Sequence, residues 1–168
     1  MSSVEQAACT LQDHAVLWSL REIPAADVVS AACDALVAGL DSPALQTLAA
    51  CTRAEADYDV PDLLPPALDE LGLTFYPAGS IAGQEAAARA LARRMPTGAL
   101  TPSDLVFRIH QRFGHGLPPT RRLAAFDDEY RILEYGDRTP AHIDADVTAE
   151  ALRLAQAPAR AGAAPAGC

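Results

Sequence analysis

The 168-residue chain contains no lysine and no asparagine. Without lysine, the phosphate-cradling pattern GxxxxGK[ST] is excluded, and no GxGxxG follows a clear strand. Without asparagine, no N-glycosylation sequon exists. Both missing residues are encoded by AT-rich codons, so a GC-rich bacterial genome accounts for the two gaps. All 13 basic side chains are arginine. Long apolar runs are missing too. None approaches the ~20 residues of a membrane span, and "MSSVEQAACT" has neither a basic n-region nor an apolar signal core. The four cysteines form no CxxC pair. Cys9, Cys33 and Cys51 fall within helical patterns at wide spacing, and Cys168 lies in the tail. Reduced thiols and a cytoplasmic location are the expectation.

Aromatic residues number only nine, whereas alanine occurs 36 times. Alanine is the best helix former and lets helices approach closely. The expectation is therefore an all-α fold, an irregular bundle of about seven to eight short helices. The length suits one domain or two small subdomains. We read 1–157 as a single helical domain and 158–168, "PARAGAAPAGC", as a disordered Ala/Pro/Gly-rich tail.

The punctuation of these helices is legible. Ser2 and Glu5 form a capping box for a helix reaching about Arg21, with Val4, Ala8, Leu11, Ala15 and Trp18 as its buried stripe. Pro24 opens a second helix that turns Val28, Val29, Ala32, Cys33, Leu36 and Val37 inward and stops at Gly39. Ser42 and Pro43 start a third. In "DYDVPDLLPPALDELGL", Asp59 reads as an N-cap and the paired prolines predict a break near Leu64. "TFYPAG" is irregular. Ser80 caps the next helix, and Thr101, Pro102 and Asp104 begin another that ends at Gly114. A seventh helix covers "PPTRRLAAFDDEYRILEYG", and the last spans about 140–156.

Charge is unevenly distributed. Residues 1–72 carry twelve acids and two arginines, and residues 73–168 carry ten acids and eleven arginines. Asp57, Asp59, Asp62, Asp69 and Glu70 crowd the proline-bearing segment. Arg108, Arg112, Arg121 and Arg122 belong to an arginine-rich stretch followed by the acidic "FDDEYRILEYGD". Intramolecular pairing accounts for part of this, with Asp127–Arg131 and Glu134–Arg138 at the favourable i, i+4 spacing. The competing reading of the charge pattern is an acidic docking surface for a cationic partner.

Motifs of chemistry are sparse. His110 and His115 stand in "RIHQRFGHG", but their spacing is not the i, i+4 pattern that puts two ligands on one helical face. A zinc site there would need further ligands, such as Asp127 or Asp128. Ala35, Gly39 and Leu45 match a helix-turn-helix spacing, with Gln46, Thr47 and one arginine on the second helix. Its surroundings are acidic, which opposes the phosphate contacts that dominate DNA affinity. No GxSxG or Cys–His arrangement for a nucleophile is present.

The favoured expectation is a non-enzymatic module that binds a protein partner, one of basic character, through acidic helical surface, in the manner of an immunity or neutralising protein. A DNA-binding helix-turn-helix regulator and a metal-dependent enzyme using the His110/His115 region remain as alternatives. No cofactor and no membrane are implied, and nucleic acid is not favoured.

Overall fold

The computed structural model describes residues 1–158. The expected tail lies, from residue 159 onward, outside the described residues. Eight α-helices and two 3-10 turns make up the described secondary structure, with no strand among them. The chain separates into two compact units, Met1–Gly83 and Gln84–Pro158. No described helix is long and apolar enough to cross a membrane.

The first unit is built from α1 (Ser3–Ser19), α2 (Ala25–Val37), α3 (Pro43–Ala49) and α4 (Ala56–Glu70). Both bonds of the Ser2/Glu5 capping box are present, and the Ser42 side chain accepts from Leu45 N–H. Helix α2 packs against α1, α3 and α4, so its small faces are central. Leu11, Val28, Ala32, Ala35, Leu45, Leu48, Val60, Leu64 and Leu68 are fully buried. Burying one leucine or valine side chain contributes about 1.5–3 kcal/mol, so this cluster is the main stabilising element of the unit.

Three expectations for this unit change. The inward arc of α2 centres on Val28, Ala32 and Ala35, which leaves Cys33 exposed and Val37 88% exposed. The alanine face is the one inward because α2 has three helical neighbours and needs close approach. The proline pair does not break α4, which runs unbroken from Ala56 to Glu70 with Pro61, Pro65 and Pro66 inside it. Pro61 and Pro66 are exposed and Pro65 is half-buried. The carbonyls they leave unbonded, those of Asp57, Pro61 and Asp62, belong to exposed residues, where water can satisfy them. The start of α4 also differs from expectation. Thr52 and Glu55, not Asp59, secure it: the Glu55 carboxylate accepts from Thr52 N–H at 3.1 Å and from the Thr52 hydroxyl at 2.6 Å.

The irregular "TFYPAG" segment is held by its backbone. Gln12 on α1 donates to the Thr74 carbonyl and accepts from Thr74 N–H, both at 2.8 Å. Cys33 and Cys51 are free thiols, but Cys9, expected to resemble them, is not one.

Helix α5 (Ile81–Arg93) starts with the Ser80 hydroxyl accepting from Gly83 N–H and leads into the second unit. That unit contains α6 (Pro102–Phe113), α7 (Arg121–Arg131) and α8 (Pro140–Gln156), which pack on one another. Leu105, Val106, Ile109, Leu123, Ile143, Val147 and Leu154 form its core. The single helix expected over 118–135 is three pieces. A 3-10 turn at Pro118–Thr120 precedes α7, and another at Leu133–Tyr135 follows it. Two adjacent prolines account for the first, since Pro119 donates no backbone bond.

Three exposed carboxylates at helix starts give a pH prediction. Hydrogen bonds from Ser2, Thr52 and Thr101 hold Glu5, Glu55 and Asp104 below the ordinary carboxylate range. A group depressed by folding stabilises the fold above its unfolded pKa, and that gain is lost as pH falls through its folded value. The variant Glu5→Gln/Glu55→Gln/Asp104→Asn should therefore be less stable than the parent near neutrality. The gap should close between about pH 5 and pH 3. Urea midpoints of both proteins across that range give the test, and a gap that widens on acidification contradicts it.

Candidate functional site

The acidic candidates all lie on or at the end of α4. At about 100° per residue, its buried arc runs through Ala56, Val60, Leu64, Ala67 and Leu68. Directly opposite, Tyr58, Asp59, Asp62, Pro66, Asp69 and Glu70 occupy an arc of about 120°. All six are exposed. Asp57 is exposed as well, but lies on the flank, where it lines a shallow cleft with Trp18, Arg21 and Ile23. From Tyr58 to Glu70 this face extends over about 18 Å of the helix.

Partnership separates these carboxylates. Glu70 accepts from Ala44 N–H at 2.9 Å, so it caps α3. Asp59 receives only a weak thiol contact, from Cys51 at 3.9 Å. Burial first, then the negative charge of Asp59 and Glu55, pushes the Cys51 thiol up from its ordinary value. Asp57, Asp59, Asp62 and Asp69 make no ion pair among the described residues. Tyr58 stands between the first two and is 82% exposed.

In the second unit most acids are engaged. Asp127 on α7 lies 2.8 Å from Arg131, the expected i, i+4 pair, and 2.7 Å from His110 Nδ1 on α6. Arg138 joins Glu129, at 2.6 Å, to Asp146 on α8. The expected Glu134–Arg138 pair is not the one that forms, because α7 ends at Arg131 and the two residues no longer share a helical face. Tyr130 donates to Asp144, and burial followed by this bond pushes its phenol well above the ordinary range. Buried Glu150 holds Arg153 and lies 3.9 Å from Arg122.

The four arginines proposed as a basic patch divide. Arg121 and Arg122 line a cleft with Arg153, Glu150 and Pro118. Arg121 also donates to the His115 carbonyl at 3.2 Å, and the Arg122 guanidinium lies over the Phe126 ring. Arg108 and Arg112 are not among the residues lining that cleft, and both have partners.

The two histidines are closer than their spacing implies. His110 lies in the last turn of α6, and Gly114 follows with φ +54°, a left-handed value that glycine adopts without strain. The chain turns back there, placing the His115 ring with its centroid 4.9 Å from that of His110. His115 Nε2 lies 3.1 Å from Asp128.

The helix-turn-helix candidate gains little from its geometry. Helix α3 covers only Pro43–Ala49, so Arg53 lies beyond it. Gln46 donates to Asp41 and the Thr47 hydroxyl to the Pro43 carbonyl. Sequence reasoning also passed over Glu85 and Arg89, both buried on α5. Their i, i+4 spacing within an alanine-rich helix was the available signal.

No protein-family model matches the chain, and no curated protein or solved structure matches it.

Proposed function

We propose that the protein is a binding module whose α4 face docks a basic protein partner and covers its cationic surface, as a neutralising protein would. The observation carrying this reading is the contrast in pairing. Asp127, Asp128, Glu129, Asp146 and Glu150 of the second unit each lie beside an arginine or histidine, whereas Asp59, Asp62 and Asp69 are exposed and make no ion pair among the described residues. Unmatched like charges on one helix face cost stability, by about 0.2–0.5 kcal/mol per i, i+3 or i+4 pair. A partner bearing arginine or lysine removes that repulsion. Tyr58 adds an aromatic contact of the kind enriched at interface centres.

Binding of this type depends on salt, because exposed charges are screened over about 8 Å at physiological ionic strength and about 3 Å at 1 M. A helical peptide carrying arginines at i, i+3 and i+4 serves as the probe. Titrated into isotope-labelled protein, it should shift the backbone amides of α4, and the shifts should vanish at 1 M salt. Shifts spread evenly over all acidic surface, or insensitive to salt, would falsify the reading.

A further inference from the structure

We propose that His110, His115 and Asp128 form a binding site for a divalent transition-metal ion on the second unit. The donors come from two helical ends. Helix α6 supplies His110, the Gly114 turn returns His115, and α7 presents Asp127 and Asp128 in succession. Consecutive helical residues differ by about 100°, so the two aspartates take different roles. Asp127 is turned inward, its side chain 7% exposed, while that of Asp128 is 51% exposed. One donor atom from each of His110, His115 and Asp128 lies within 4.8 Å of the others.

The donor set selects the class of ion. Two imidazoles and one carboxylate suit zinc and its first-row neighbours, whereas calcium takes six to eight oxygens and magnesium prefers oxygen with retained water. Zinc binds nitrogen and oxygen at about 2.0–2.2 Å, so ligand atoms in a tetrahedron lie about 3.3 Å apart. The His115–Asp128 separation of 3.1 Å already fits. Asp128 approaches His110 at Nδ1, 3.8 Å away, so closure on Nε2 requires His115 and Asp128, both half exposed, to swing toward the far edge of the His110 ring. Three protein ligands leave a fourth position for water.

Buried Asp127 is the second observation. It lies 2.7 Å from His110 Nδ1 and is itself held by Arg131. A carboxylate on one imidazole nitrogen fixes the tautomer and leaves Nε2 with its lone pair, which is how metal-bound histidines are usually oriented. An ion pair alone gives a weaker account of the arrangement. The exposed His115–Asp128 pair contributes about 0–1 kcal/mol, and pairing gives no reason to set a second imidazole beside the first.

A rival cluster, Cys51, Glu55 and Asp59, has similar spacing in the first unit. Glu55 is already committed to Thr52, and the Cys51 thiol is pushed towards its protonated form. The test therefore uses the full chain carrying Cys51→Ala, titrated with zinc by calorimetry and with cobalt(II) by absorption. One saturable site per chain is expected, with zinc shifting the ring resonances of His110 and His115 and leaving those of His14 and His142 in place. His115→Ala and Asp128→Asn change exposed side chains, and unchanged circular dichroism would confirm their folding. Each should weaken binding beyond the roughly 10–100-fold that loss of an outer-sphere partner costs. Undiminished one-to-one binding in the double variant, or no saturable binding in a large excess of zinc, overturns the proposal. Reversing Asp59, Asp62 and Asp69 should leave this site intact, so its failure and that of the α4 reading are distinguishable.

Discussion

Replacing Asp59, Asp62 and Asp69 together by arginine is expected to weaken binding of the arginine-bearing helical peptide by at least about 100-fold at physiological salt. That corresponds to roughly 1 kcal/mol per site, the upper range for an exposed charge contact. The three positions share the outer face of α4 and lack cationic partners among the described residues, so each reversal turns an attraction into a repulsion. Every replacement shifts charge by two, taking residues 1–72 from a formal −10 to −4. Folding should survive. An arginine introduced in place of Asp59 would face Glu55 at i, i+4, a favourable acid-first order that offsets the lost carboxylate near the helix start. Fluorescence anisotropy of the labelled peptide reads the affinity, and circular dichroism monitors the helix. Reversal of Asp34, Glu134 and Asp137 matches the charge change away from α4. If that control weakens binding as much as the α4 variant does, net charge and not the α4 face drives association, and the docking reading fails.

The residues named in that variant could be found in the sequence, but the face they share could not be assigned. Aspartates at 59, 62 and 69 follow helical periodicity only if one helix spans them all. The prolines at 65 and 66 argued against such a helix. What overrode them was tertiary packing: Val60, Leu64, Ala67 and Leu68 bury a continuous stripe that a break would misalign. The start of α4 carried a partial signal in "TRAE", an S/T-x-x-E pattern in which the Glu55 carboxylate accepts from Thr52 while Glu55 N–H donates to the Thr52 carbonyl and not to its hydroxyl. Caps elsewhere were legible because they depend on neighbours in sequence, as at Ser2, Ser42 and Thr101. The inward arc of α2 was not, because alanine and valine are both apolar and only the number of adjoining helices decides which side needs close approach. The histidine pair failed for a related reason. Spacing rules assume that both residues remain on the helix, and the glycine between them redirects the second. Asp127 and Asp128 lie on a different helix, so their approach to His110 is a product of α6–α7 packing.

The prolines of α4 can be tested directly. Pro65→Ala/Pro66→Ala is expected to raise the unfolding free energy by about 2–4 kcal/mol. Proline in a regular helix interior costs about 3 kcal/mol relative to alanine, so two replacements set an upper bound well above this. Two effects reduce the gain. The freed carbonyls of Pro61 and Asp62 belong to exposed residues, so hydration offsets part of the lost bonding. Proline also restricts the unfolded chain, an advantage of about 0.4–1 kcal/mol per residue that alanine forfeits. What remains is the recovered backbone bond and the removal of ring–carbonyl crowding, since both positions can take helical dihedrals within an already continuous α4. For a unit of this size, 1 kcal/mol raises the midpoint by roughly 4–8 °C, so thermal unfolding followed by circular dichroism resolves the effect easily. The opposite outcome has a definite meaning. Lower stability would show that the prolines impose a bend that seats Leu64 and Leu68 against α2 and α3, and that straightening α4 unpacks them. Peptide affinity separates this from any role in docking: Pro66 lies on the outer face but carries no charge, so binding should change little while stability rises.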